Sequence, residues 1–225
     1  MGELWLLDIR DGRVSVNNWF FRGLRKGRLT SKFPASEPES VSPWSTRPVR
    51  VGSGLVTCPT DAIAGDSVAM EKCISCGRCS DAFSPDGSVS TSISRRSEPH
   101  FRRSFNILMI DTGSCGACNL EVKALSNPIY DMHRLGIFFT STPRHADALL
   151  VVGVLSNEMK EPLRLTYEAM PDPKLIFAIG ACAISGGILG KGIEEVVRAE
   201  VIVPGCPPNP FTILDALIKS KGGTS

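Results

Sequence analysis

No stretch of this sequence approaches the roughly 20 consecutive apolar residues that a membrane-spanning helix needs. Its longest apolar runs, such as 148–154, are strand-sized, so any membrane association must come through partners or a surface-lying segment. A strong charge of one sign is also missing, since 25 basic and 23 acidic side chains leave a formal charge of +2. The basic character belongs to the N-terminal part: residues 1–57 carry nine basic and five acidic side chains, against ten and twelve in 104–225. One short basic patch on a nearly neutral chain argues against nucleic acid as a partner. The start, Met1-Gly2-Glu3-Leu4-Trp5, has neither a long apolar core nor an Arg-rich presequence and is read as part of the mature protein. At 225 residues with 42% hydrophobic content, two compact units are the natural expectation.

Cysteine, by contrast, is plentiful. Eight cysteines fall into two groups of four with C-x-x-C spacings, and without a secretory signal that pattern favours metal over disulfide. In the later group, the strand-like run 105–110 ends in a glycine-bearing loop. The loop offers Cys115 and Cys118 and then runs into a predicted helix over 117–125. Cys182 lies within Gly180-Ala181-Cys182-Ala183-Ile184-Ser185-Gly186-Gly187, and Cys206 within Val203-Pro204-Gly205-Cys206-Pro207-Pro208. Further strands are predicted over 136–140, 148–152, 174–179 and 201–203, with helices over 162–170 and 192–200. A last helix is capped by Asn209, with Pro210 at its first position. Such alternation argues a parallel sheet covered on both faces, in which sites form at the carboxyl ends of the strands. All four later cysteines sit at or shortly after such ends. Four thiolates delivered there can surround one compact centre, and four cysteines are what a 4Fe-4S cluster asks for.

The earlier group has Cys58-Pro59, then, after fourteen intervening residues, Cys73-Ile74-Ser75-Cys76-Gly77-Arg78-Cys79, with short strands predicted over 67–70 and 87–91. This resembles a single-cluster, half-degenerate bacterial ferredoxin module over roughly 51–92. The resemblance implies one 4Fe-4S cluster on Cys58, Cys73, Cys76 and Cys79. No second C-x2-C-x2-C run and no final Cys-Pro is present, because Cys79 leads to Ser80-Asp81-Ala82-Phe83. Tetrahedral zinc on the same four thiolates is the alternative. Around the module, residues 3–16 read as a hairpin about Arg10-Asp11-Gly12-Arg13, and 34–50 and 93–104 as linkers, with Trp44 pinning the first and His100 a solvated histidine in the second. The segment 17–32 sets Trp19, Phe20, Phe21 and Leu24 among Arg22, Arg25, Lys26, Arg28 and Lys32. It is an arm on a partner subunit, a helix on anionic lipid headgroups, or a solvated basic face.

From residue 105 to about 220 the chain resembles the cluster-bearing small subunits of energy-converting nickel-iron hydrogenases and the homologous 20 kDa-type subunit of NADH:quinone oxidoreductase. The segments that carry the resemblance are Ser114-Cys115-Gly116-Ala117-Cys118-Asn119-Leu120-Glu121, Tyr130-Asp131-Met132-His133-Arg134-Leu135-Gly136, Thr142-Pro143-Arg144-His145-Ala146-Asp147 and the two segments around Cys182 and Cys206. The resemblance implies a flavodoxin-like α/β domain whose Cys115, Cys118, Cys182 and Cys206 hold a 4Fe-4S cluster beside the active site of a large partner subunit. The chain would then carry two 4Fe-4S clusters and no complete active site of its own. Its domains are expected at 1–50 (basic arm and linker), 51–92 (small α+β ferredoxin-like module), 93–104 (linker) and 105–225 (flavodoxin-like parallel sheet). The quinone-reducing branch has adjacent cysteines in its first motif, whereas Cys115-Gly116-Ala117-Cys118 has the hydrogenase-like spacing. Residues 19–34 resemble the lead-in of separate ferredoxin-type subunits, which suggests a fusion of two neighbouring electron carriers. Implied partners are a hydrogenase-like or quinone-reductase-like large subunit, membrane subunits and a soluble ferredoxin. The implied location is cytoplasmic, on the inner face of the membrane. Glu121 matches a position that relays protons toward the large subunit, or is a helix-N-terminal glutamate favoured by the dipole. Arg144 and His145 act near the cluster or partner, or form a loop ion pair with Asp147. His133 is packed or exposed, not a ligand.

Overall fold

The computed structural model describes residues 9–10, 13–14, 30–35, 46–54, 56–93, 101 and 103–222. Most of the basic arm, Trp44, His100 and most of the second linker therefore lie outside the described residues. Strands β1 (Ile9–Arg10) and β2 (Arg13–Val14) pair antiparallel, in keeping with the expected hairpin.

The cysteine-rich module is built from two small antiparallel ribbons. Strand β3 (Thr46–Arg50) pairs with β6 (Phe83–Val89), and β4 (Ile63–Ala64) pairs with β5 (Ser67–Val68). The sequence suggests a linker at 46–50 because of Pro48. In the fold Pro48 lies opposite Pro85, which a two-stranded ribbon tolerates because each strand keeps one unpaired edge. Ala62, Val68, Met70, Ala82 and Phe83 form a small core, with Cys58, Cys73 and Cys79 packed against it.

Only two residues separate β6 from β7 (Ser92–Ile93), and β7 joins a second, six-stranded sheet. The other members of that sheet are β8 (Phe105–Asp111), β9 (Ile137–Phe139), β10 (Ala148–Val152), β11 (Leu175–Ile179) and β12 (Val201–Val203). The spatial order is β7-β12-β11-β10-β8-β9, parallel throughout except for β7. The five parallel strands thus run 2-1-3-4-5, the flavodoxin-like order.

Every residue of β10 and β11 is buried, as expected for central parallel strands covered on both faces. Alternate residues feed two cores. Phe105, Ile107, Leu150, Phe177 and Val203 face Val122 of α1 (Ala117–Ala124) and Ile213, Leu214 and Leu217 near the chain's end. Leu149, Val151, Ile176 and Ala178 face Leu163 of α2 (Lys160–Ala169) and Ala183 of α3 (Gly180–Ser185). The final helix, α4 (Pro210–Lys221), starts as expected: Asn209 Oδ1 accepts from the Phe211 N–H at 2.9 Å, and Pro210 occupies the first turn.

Two local expectations fail. Residues 192–200 form only a short 3-10 turn, Ile193–Glu195, and then run on irregularly with Val196 outside helical geometry. The β-branched pair Val196-Val197 disfavours helix, and burying Ile193, Val197 and Ala199 does not require one. Conversely, the glycine-rich stretch after β11 contains the one-and-a-half-turn helix α3, which ends at Gly186 in the left-handed conformation.

The described part of the arm is strapped to the second domain. The Ser31 N–H donates to Ile129 O at 2.9 Å, Arg134 donates to the carbonyls of Ser31 and Phe33, and Phe33 packs on Phe211. None of the described helices is long and apolar enough to cross a membrane.

Candidate metal centres

The sheet delivers the later cysteines as its topology requires. Cys115 and Cys118 follow β8, Cys182 lies in the first turns of α3 after β11, and Cys206 follows β12 by three residues. All leave the carboxyl edge. The loop after β8 is held by two side chains. Thr112 is buried, and its hydroxyl donates to Val152 O at 3.0 Å and Gly153 O at 3.2 Å. Asp111 accepts from the N–H groups of Gly113 and Ser114 (2.9 and 2.7 Å), the Ser114 hydroxyl (2.8 Å) and Asn119 Nδ2 (2.6 Å).

Partial burial pushes the Asp111 carboxyl up, but those hydrogen bonds together outweigh it and hold the carboxyl below its ordinary value. Asp111→Ala is therefore expected to cost about 1 kcal/mol after discounting for exposure, read as a lowered midpoint in urea. The sign follows from the depressed folded pKa. The stabilisation is present above the ordinary aspartate range and lost as pH falls through the folded value, so wild type and variant converge in acid.

Cys118 is the buried member of its set, while Cys115 and Cys206 reach the surface. Burial pushes the Cys118 thiol up to about 12, reinforced by Cys206, Cys182, Cys115 and Glu121. Burial followed by repulsion from Cys115 likewise raises Cys182, and burial with Cys182, Cys115 and Cys73 raises Cys206. Four thiols that repel one another's charge as anions are a donor set suited to a cationic centre. Close backbone approach completes the cradle: a β-carbon at Gly180, where φ is +85°, would stand 2.7 Å from Cys118 Sγ.

Cys58, Cys73, Cys76 and Cys79 together line one cavity of about 190 Å³, walled by Ile63, Val68, Met70 and Phe83. The N–H of Ala62 donates to Cys58 Sγ at 3.3 Å and that of Ser75 to Cys73 Sγ at 3.4 Å. Burial raises the Cys58 thiol, but the Thr60 hydroxyl and backbone donors at Thr60, Ala62 and Ile63 bring it below the usual value. Cys79 goes the other way, through burial and then the charge of Cys73. Among the described residues no three His, Cys, Asp or Glu side chains converge on the point a single ion would take. The cavity that Cys58, Cys73, Cys76 and Cys79 line has room for a group larger than one ion.

Glu121 is the fifth residue of α1, outside the first turn where a helix dipole acts most strongly. It borders a pocket of about 310 Å³ with Ser75, Cys206, Asn209 and the prolines at 207, 208 and 210, and burial raises its carboxyl. Arg144 and His145 lie in a 3-10 turn before the amino end of β10, away from the carboxyl edge that bears the cysteines. Asp147 accepts from the Asn106 N–H and Nδ2, not in the expected ion pair. His133 packs on Phe138 with ring centroids 5.6 Å apart. The sequence reading had no signal for Asp111 and Thr112 as loop supports, because their partners lie across the fold or depend on the loop's exact turn.

The family described as NADH ubiquinone oxidoreductase, 20 Kd subunit, matches residues 115–220. An uncharacterized protein of Methanocaldococcus jannaschii is 38% identical over 52% of this chain and 83% of its own length. The probable membrane-bound hydrogenase subunit mbhJ of Pyrococcus furiosus is 38% identical over 50% of this chain and 71% of its own. An NADH-quinone oxidoreductase subunit of Desulfovibrio desulfuricans is 39% identical over 48% of this chain and 62% of its own. A chain in the structure of the membrane-bound sulfane sulfur reductase, an archaeal respiratory membrane complex, aligns over 56% of this chain and 75% of its own, at 30% identity and a TM-score of 0.48. With its flavodoxin-like sheet and its cysteines at the carboxyl edge, the chain belongs to the family of the 20 kDa subunit of NADH:ubiquinone oxidoreductase, whose relatives include subunits of membrane-bound hydrogenases.

Proposed function

We propose that this chain is the electron-transfer subunit of a membrane-associated oxidoreductase and carries two 4Fe-4S clusters. One is held by Cys58, Cys73, Cys76 and Cys79, the other by Cys115, Cys118, Cys182 and Cys206. The observation that carries the reading is the pairing of a cavity lined by four cysteines with a second set of four gathered at one sheet edge. Each cluster supplies one-electron storage. The residues of the chain exclude water from Cys118, donate backbone N–H groups to sulfur at Cys58 and Cys73, and fix the loop through Asp111. Zinc on either set is the competing reading, and the C-x2-C-x2-C spacing of Cys73, Cys76 and Cys79 disfavours it for the first set.

The division into an arm (1–50), a ferredoxin-like module (51–92), a linker (93–104) and a cluster domain (105–225) belongs to the same proposal, with β3 extending the module's ribbon back to residue 46. The catalytic partner is a hydrogenase-like large subunit, held on the inner face of the membrane by membrane subunits and exchanging electrons with a soluble ferredoxin. Exposed Leu120, Ile188 and Leu189, each a few residues from a cysteine of the second set, are apolar surface for such a partner. The spacing Cys115-x-x-Cys118 favours a hydrogenase over a quinone-reducing partner. The deciding experiment is the metal content of the complex purified without oxygen through a tag on this chain. Roughly eight irons with nickel support the full reading, the same iron without nickel moves the partner to the quinone-reducing or nickel-free class, and zinc in place of iron overturns electron transfer.

Glu121 is proposed as a proton relay at the edge of the second set. Glu121→Gln is expected to slow turnover of the assembled complex about tenfold or more while iron content and cluster spectra stay unchanged. Undiminished turnover would remove Glu121 from the proton path.

A further inference from the structure

The two cysteine sets meet through one loop. Between Cys73 and Cys76 stand Ile74 and Ser75. Ser75 borders the same pocket as Cys206. A β-carbon at Gly187 would lie 3.6 Å from both Ile74 Cγ2 and Cys182 Sγ, so Ile74 and a cysteine of the other set flank the same space over Gly187.

The path of the chain favours this arrangement. Two residues after β6, β7 pairs with β12 through Ile93 opposite Val201 and Ser92 opposite Ile202, and β12 leads directly to Cys206. The chain leaving the first module is therefore paired with the strand that delivers a cysteine of the second.

We propose that the Cys73–Cys76 loop is a fixed spacer between the two sets, with Ile74 over Gly187 as its positioning residue, so that electrons cross between the sets inside this chain without a diffusing carrier. The inference rests on the reading that both sets bind clusters. The step moves one electron from the reduced centre to the oxidised one. No bond forms or breaks and no proton is released, and a chemical reductant such as dithionite supplies the electron in the test.

The test is electron paramagnetic resonance of the full chain, loaded without oxygen and fully reduced by dithionite. Cys76→Ser and Cys115→Ser provide the spectra of one set at a time. The native spectrum is expected to show splitting and broadening absent from the sum of those two. Gly187→Asn keeps a residue type that accepts the left-handed backbone (φ +58°) but drives a side chain between Ile74 and Cys182. It is expected to retain both signals and lose the splitting. Ile74→Ala, which removes that side chain without adding bulk, is expected to weaken the splitting and covers the case in which Gly187→Asn does not assemble. A native spectrum equal to the sum, or splitting that survives both variants, overturns the spacer and leaves the cluster assignment standing. Iron-free protein overturns the cluster assignment itself and the spacer with it.

Discussion

If the first four cysteines hold a cluster as proposed, chelating the iron under reducing conditions will unfold the first module and leave the flavodoxin-like sheet folded. The asymmetry comes from the two cores. Among the described residues the module's core holds five buried apolar side chains, Ala62, Val68, Met70, Ala82 and Phe83, and its strands other than β3 and β6 are two residues long. Modules of about 40 residues rarely fold on burial alone and usually require metal, disulfides or a partner. Here the cysteines are free thiols, and three of them are themselves part of the packing. With metal bound, the free energy of ligation is folding free energy. The second domain has two cores on opposite faces of five parallel strands, and of its cysteines only Cys118 belongs to a core. Hydrogen exchange followed by mass spectrometry reads the difference directly. Peptides spanning 56–89 should lose protection when iron is removed, while those of β8, β10 and β11 keep it. Retained protection over 56–89 would show that the cysteines are not structural ligands, and uniform loss throughout the chain would show that the second domain also depends on its metal.

The sequence is most informative where one period dominates. The central strands are continuous apolar runs, so β8, β10 and β11 are predicted within a residue or two of their observed limits, and the capped helix α4 follows from Asn209-Pro210. The short elements are less legible. β3 hides behind Pro48, which looks like a linker until its partner Pro85 is known, and β7 consists of two residues whose meaning lies entirely in their pairing with β12. At 192–200, helix-compatible glutamates and an apolar spacing mislead, because burial of three side chains is satisfied by a 3-10 turn and an irregular run. Cysteine spacing makes both candidate centres visible in advance. The approach of Ile74 and Cys182 to the space over Gly187 is not visible in the same way, since it brings together residues more than a hundred positions apart. Asp111 is an intermediate case: it sits next to the motif, yet its role depends on donors from Ser114 and Asn119 that only the folded loop brings together.

Gly180→Ala is expected to damage the second centre by displacing one of its cysteines, which separates it from Gly186 of the same motif, where an added carbon would meet the backbone of Gly190 instead. Gly180 follows β11 and begins α3 at φ +85°, a conformation that costs an L residue about 1–2 kcal/mol by itself. The added carbon would also stand 2.7 Å from Cys118 Sγ and 3.4 Å from Gly205 O. The sulfur cannot swing aside into solvent, because Cys118 is buried at 9% exposure within the core that includes Val122 and Ile179. Overpacking of this kind typically adds about 1–3 kcal/mol. Gly116 supplies the control. Its φ of +91° carries the same backbone strain, but a β-carbon there meets nothing within 4 Å, so Gly116→Ala should cost about 1–2 kcal/mol and keep full iron content. In Gly180→Ala the displaced cysteine should take the second centre with it, leaving about half of the iron, that of one four-iron cluster, on Cys58, Cys73, Cys76 and Cys79. Iron analysis beside thermal melting of both variants distinguishes the two effects: equal melting losses with equal iron would reduce Gly180 to a backbone requirement, whereas a selective loss of iron ties its missing side chain to the position of Cys118.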